Sequence, residues 1–141
     1  MDFLPMPCLA SHFNTQQQQL FFDLSISASS LHPDQHGSPS PCRALIDTGA
    51  TNTCISPRLV KELQLIPVGK MEMVGLGGII VQPYYIVDVY LPFKSESFLI
   101  TGLQVSVFHA QDGLDVLMGM DIIGLGHLSV DAFAGRFTFC V

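Results

Sequence analysis

One short segment combines residue types and spacing that could do chemistry: ALIDTGATNTCIS, with Asp47, Thr48, Gly49 and Ala50 at its centre. An apolar stretch ends in a carboxylate, turns sharply through Thr48, Gly49 and Ala50, and resumes as a second apolar stretch. A carboxylate held at a strand end is positioned rather than waving in solvent. Gly49 lets a neighbouring backbone come close, and the Thr48 hydroxyl can bond to a backbone group across a symmetric partner. Alone, Asp-Thr-Gly is better read as a β-turn with an Asx-type cap. Apolar flanks on both sides separate this segment from solvated turns and calcium loops, which are polar.

Two later segments share its pattern of apolar residues around glycine. VGLGG (Val74 to Gly78) falls between two strand-like runs, and by itself describes a flexible hairpin turn. DVLMGMDII (Asp115 to Ile123) is an apolar strand entering a glycine turn and a short helix, and by itself describes core packing. In this order and spacing the three segments resemble the retropepsin-like aspartic proteases, single-lobe relatives of pepsin. The resemblance covers Gln19 to Val141 and is most specific at A-L-I-D-T-G-A-T. Met120 and Asp121 after the late glycine look more like bacterial and cellular members than retroviral ones, which usually carry Arg there.

The resemblance implies roles for particular residues. Asp47 would be the catalytic carboxylate, Thr48 the residue locking two active-site loops together, and Gly49 a contact to substrate backbone. Ala50, Thr51 and Asn52 would line the cleft. Gly75, Leu76, Gly77 and Gly78 would form a flap with Leu76 near its tip, and Gly119 would lie in the turn beneath the catalytic loop. Retroviral members often carry a carboxylate just after the D-T-G-A. Uncharged Thr51 and Asn52 stand here instead, so their substrate preference does not transfer.

Chemistry independently asks for two copies. Peptide hydrolysis of this type uses two carboxylates about 3 Å apart sharing one proton, which titrate as a unit. The chain holds one D-T-G and 141 residues, too few for two lobes, so the second aspartate must come from a homodimer partner. The expected activity is endopeptidase cleavage of an extended protein or peptide substrate, with no metal and no cofactor. A catalytically silent dimeric peptide-binding or assembly module stays open as the alternative. A protease acting only on its own precursor, with residues 1–19 as the place to look for cleavage, stays open as a third.

The elements that must position Asp47 follow from composition and pattern. Twelve Gly, nine Pro and few helix-forming runs predict a mainly β protein of short strands and turns, and the resemblance implies that it is a closed, mainly antiparallel, single-lobe barrel with one or two short helices. Residues 1–18 read as an irregular tail and 19–141 as the domain. QLFFDLSIS predicts a strand, the Pro-rich Leu31 to Pro41 a loop, and CRALID the strand that delivers Asp47. Ser56 and Pro57 predict a helix start, with Leu59, Val60 and Leu63 on its inward face. MEMVGLGGIIVQPYYIVDVYLPF predicts two strands around a glycine turn, and FLITGLQVSVFHA another strand bent at Gly102. RFTFCV closes the chain as a strand and is the first candidate for a dimer sheet.

The remaining residues offer less. A net charge of −6 with six Lys plus Arg lacks the basic footprint that nucleic acid requires, and suits no anionic membrane surface. His32, Asp34 and His36 lie in a proline-punctuated loop that presents no helical metal-binding face. No local signature supports Cys54 paired with His109 or His127 as a nucleophile. Asp112, Asp115, Asp121 and Asp131 are scattered acids, with Asp121 a candidate brace for the short helix. Cys8, Cys42, Cys54 and Cys140 form no C-x-x-C pair. The opening residues lack a basic signal-peptide region, and no apolar run approaches a membrane span. Reduced cysteines and a cytoplasmic location are the expectation.

Overall fold

The computed structural model describes residues 7–35, 37–94, 96–109 and 113–141. Ten strands and two short helices follow one another as β1 (Cys8–His12), β2 (Phe21–Ala28), β3 (Ser40–Ile46), β4 (Cys54–Ile55), α1 (Pro57–Glu62), β5 (Gly69–Gly75), β6 (Gly78–Pro92), β7 (Ser97–Val107), β8 (Val116–Met118), α2 (Met120–Ile123), β9 (His127–Asp131) and β10 (Arg136–Cys140). The mainly β structure expected from composition and the closed barrel implied by the resemblance are both observed.

Alternation explains most of the strands. In β3, Cys42, Ala44 and Ile46 point inward while Pro41 and Arg43 point out. Six strands close the barrel in the order β2-β3-β8-β4-β7-β6, and β2 pairs with β6 to complete the ring. Closure leaves no open edge among those six strands. The β3–β8 and β4–β7 pairs are parallel, so the barrel is not wholly antiparallel. Ile26, Ala44, Ile55, Val87, Val89, Val116, Met118 and Ile122 fill the interior. β6 is long because it serves two purposes: its second half is a barrel strand with Val87, Val89 and Leu91 buried, and its first half is exposed. That exposed half pairs with β5 alone to make a projecting hairpin.

The seam where β2 meets β6 is bonded by a carboxylate. A register shift between Val87 and Val89 places buried Asp88 at a bulge. Its carboxylate accepts from the Ser29 hydroxyl (3.0 Å), the Ser30 amide (3.0 Å) and the Gly102 amide (2.9 Å). Gly102, where a bend was expected, adopts φ +69, and a Cβ there would lie 2.5 Å from Leu31 Cδ1. Burial opposes the charged form of Asp88, but the donated hydrogen bonds outweigh it and hold the carboxyl below its ordinary range.

Ser56 caps α1 as the sequence predicts, its hydroxyl accepting from the Leu59 amide at 3.3 Å, with Pro57 in the first helical position. Leu59 is the buried residue of that helix.

Three expectations are corrected. Within residues 1–18, read as an irregular tail, Cys8–His12 forms β1, paired with β10 in a separate three-stranded sheet of order β1-β10-β9. The strand β9 has no counterpart in the sequence reading. RFTFCV does form a strand, but as β10 it is paired on both sides, by β1 and β9, and offers no edge to a partner. The cysteines are not all reduced: the β1–β10 register sets Cys8 opposite Cys140, and the two form a disulfide. This removes the redox argument for a cytoplasmic location. Cys42 and Cys54 remain free thiols, and burial pushes the Cys42 thiol up to about 12. Among the described residues no helix is long and apolar enough to cross a membrane.

Candidate active site

Asp47 follows directly on β3. Parallel pairing with β8 fixes the end of that strand, and the Asp47 amide donates to the Met118 carbonyl at 2.9 Å. The chain then turns, the Ala50 amide donating to the Asp47 carbonyl (3.2 Å) and the Gly49 amide to Asp47 Oδ1 (3.0 Å). One oxygen of the half-buried carboxylate is thereby oriented by backbone, while Thr48 and Gly49 stay exposed. The Asx-type turn and the rigid strand-end carboxylate are thus the same object.

Beneath the loop runs the turn from β8 into α2. The Met120 amide donates to the Ala50 carbonyl (2.8 Å) and the Asp121 amide to the Thr51 carbonyl (3.1 Å). Gly119 lies so close that a Cβ there would stand 2.7 Å from the Asn52 carbonyl carbon and 2.9 Å from the Ala50 oxygen, both backbone. Only glycine fits that crossing. Asp121 ties the layers together: Oδ1 accepts from the Thr53 hydroxyl (2.6 Å) and Oδ2 from the Thr53 amide (2.9 Å). The Thr53 oxygen in turn accepts from the Gly119 amide at 3.1 Å. Asp121, expected as a brace for the helix, also bonds the Ile122 amide of α2. Fully buried Thr53 was not singled out from sequence; an interior hydroxyl three residues after Gly-Ala is silent until its partner on another element is known.

A cavity of about 380 Å³ opens between this loop and β5. Gly49, Ala50, Thr51 and Asn52 line one side, and Met71, Glu72, Met73 and Val74 the other, with Cys54 and Ser106 at the edge. The Cys54 thiol lies 3.2 Å from the Ser106 hydroxyl. The methionines of β5 were missed because two Met at alternate strand positions read as ordinary packing. The glycine-rich tip is set apart from the cavity. Gly75 and Gly78 pair across the hairpin, Gly78 at φ +113, and Leu76 and Gly77 form the turn with Leu76 wholly exposed. A larger cleft of about 590 Å³ lies elsewhere, lined by Ala10, His12, Lys94, Asp131 and Arg136 among others, and shares no residue with the Asp47 loop.

Among the described residues no three His, Cys, Asp or Glu side chains are grouped to hold a metal ion. The Asp34 amide donates to His32 Nδ1. His36 and Asp112 lie outside the described residues.

Residues 35–122 match the family described as aspartyl protease, a span that holds the Asp47 loop, the hairpin and all but the last residue of α2. No curated protein matches the sequence. Among solved structures, a retropepsin-like aspartic protease from Rickettsia conorii superposes with a TM-score of 0.61 at 11% identity, over 99% of this chain and 97% of that one. The foamy viral protease-reverse transcriptase in complex with RNA/DNA hybrid matches 78% of this chain and 13% of its own, at 18% identity and a TM-score of 0.45. With a match across more than half its length, a retropepsin-like fold and an aspartate seated on a braced loop, the chain belongs to the aspartyl protease family.

Proposed function

We propose that the protein is an aspartic endopeptidase active as a homodimer, in which a water between the two Asp47 carboxylates attacks the peptide carbonyl. One carboxylate, ionised, takes a proton from the water; the other, protonated, gives its proton to the carbonyl oxygen. Each chain brings one D-T-G, so the dyad needs both copies.

The observation that carries the reading is the seat of Asp47. Its carboxylate is oriented by the Gly49 amide, its loop is bonded to β8 and α2, and the loop shares a cavity with Met71 to Val74 of β5. A module that only bound peptides would have no need of that carboxylate. In this reading Thr48 bonds across to the partner loop and Gly49 meets substrate backbone. Ala50, Thr51 and Asn52 line the cleft, and the hairpin through Gly75, Leu76, Gly77 and Gly78 closes as a flap over an extended peptide. The two methionines and Cys54 beside the cavity supply soft, adaptable walls suited to apolar side chains near the scissile bond.

The test is cleavage of a peptide library at about pH 4 to 6, where a shared-proton pair operates, by wild type and Asp47→Asn. Cleavage lost in the variant, with its dimerisation unchanged, supports the reading. A confirmed dimer that cleaves nothing would replace it with the binding module.

A further inference from the structure

The cleft of about 590 Å³ that shares no residue with the Asp47 loop differs in charge from the chain as a whole. The chain carries −6 with six Lys plus Arg, yet Lys94, Arg136 and His12 all line this one concavity. We propose that the cleft binds a small organic anion carrying phosphate or carboxylate groups, held by Arg136, Lys94 and His12 over a floor of small side chains. The site stands independently of the protease reading.

Its shape follows from side-chain size on one face of the three-stranded sheet. Pairing across β1, β10 and β9 sets His12, Arg136 and Asp131 in one row and Ala10, Thr138 and Ser129 in the next. Successive residues of a strand alternate faces, so both rows lie opposite the buried Leu9, Phe137 and Phe139. The row of Ala10, Thr138 and Ser129 is short and makes a floor. The row with His12 and Arg136 is long and makes a wall. Lys94 flanks the sheet beside β1, where its amide donates to the Cys8 carbonyl at 3.2 Å.

The charge there is free to meet a ligand. Elsewhere Arg58 is paired with Asp115 and Glu62, and Arg43 lies over the Phe21 ring at 4.4 Å. Among the described residues, the side chains of Lys94, Arg136 and His12 enter no hydrogen bond or ion pair. Asp131 is the carboxylate in the lining, and its Oδ1 accepts from the Ala134 amide at 2.9 Å. Lys94 and Arg136 against Asp131 leave the cleft positive before His12 is counted. Directly opposed residues of an antiparallel pair hold their Cβ atoms ~4.5–5.5 Å apart, so His12 and Arg136 can reach one anionic group together. The Arg136 fork suits paired oxygens, and the Thr138 and Ser129 hydroxyls can donate to others.

Size and charge together set the ligand class. The volume falls within the range of small-molecule sites, roughly 300–1,000 Å³, and is more than a lone phosphate or carboxylate group needs. Three cationic groups are too few to track a nucleic-acid backbone. An organic anion with two or more charged groups can meet Arg136 and His12 on the wall and Lys94 on the flank at once. Bound there, it would join β1, β10 and the chain at Lys94, and so stabilise the folded state by mass action.

Calorimetric titration of the whole chain with pyrophosphate and with citrate, at low salt, tests the site and separates phosphate from carboxylate chemistry. At least one of the two should bind with a dissociation constant below about 1 mM. Arg136→Gln and Lys94→Gln should each weaken that binding about tenfold. Lys70→Gln removes the same charge from β5 of the projecting hairpin and should change nothing. Ala10→Leu fills the floor while keeping every charge, and should weaken binding as much as the loss of a cation. All four positions are exposed, so circular dichroism should find each variant folded. Binding of neither anion would overturn the site, as would Lys70→Gln weakening it as much as Arg136→Gln does. An Ala10→Leu variant that binds like wild type would overturn it too, since the charge would then act without the cleft.

Discussion

At the scale of single residues, the site is a carboxylate set on a stack of tight backbone contacts, and the stack is as testable as the carboxylate. Gly119→Ala forces a Cβ against backbone atoms of Asn52 and Ala50 that have no side-chain freedom to yield. Overpacking of this kind costs about 1–3 kcal/mol. A lower Tm and weaker cleavage are expected together, whereas Asp47→Asn, at a half-buried position, should lose cleavage with Tm nearly unchanged. Thr53→Val removes the hydroxyl that donates to Asp121 and accepts from Gly119, leaving a carboxylate oxygen and a buried amide short of partners. Unfolding in urea should show a loss of about 1–3 kcal/mol. Apolar flanks singled out the Asp47 segment locally, while the place of Gly119 beneath the loop came only from the resemblance of three segments taken in order. Thr53 could not, since its value lies in a bond to Asp121, 68 residues away.

At the scale of elements, the barrel closes where β2 meets β6, and Asp88 makes that closure sensitive to acid. Its pKa is depressed in the folded chain, so its contribution to stability is present above the unfolded carboxyl value of ~4 and fades as pH falls through the lower folded value. Asp88→Asn should therefore be less stable than wild type at neutral pH. Thermal melts should show the gap narrowing as pH drops below about 4. A difference that stays constant down to strong acid would refute the assignment. The interval proposed for catalysis lies above this loss. Elements with strong local grammar were legible: α1 from Ser56 and Pro57, β2 from its alternation, and the β5–β6 hairpin from its glycines. β1 and β9 were not. CLASH and HLSVD are five residues each, mix polar with apolar, and become strands only through pairing with β10. Partners supplied from far along the chain leave little trace in a short window.

At the scale of the whole molecule, β1 and β10 are joined by hydrogen bonds and by the Cys8–Cys140 bridge, across a separation of 132 residues. Nothing in the spacing of four cysteines selects this pair. The antiparallel register does, by setting the two opposite each other. A loop of that length limits the unfolded chain, and the chain-entropy estimate is about 4–5 kcal/mol. Reduction, or Cys8→Ser, should lower Tm and the urea midpoint; Cys42→Ser, which keeps the bridge, should still respond to reductant, and Cys8→Ser should not. An unchanged Tm on full reduction would show the sheet holding β1 without help.

The same bridge has a consequence for chain breaks. Because it spans nearly every residue between the first strand and the last, a single cut anywhere from the Pro-rich loop to the hairpin tip opens a ring rather than dividing the molecule. The two pieces remain one covalent body, held also by the barrel pairings that cross the cut. A nicked protein would migrate as a single band on a non-reducing gel and as two on a reducing one. Damage at the exposed hairpin would in this molecule be retained instead of shed.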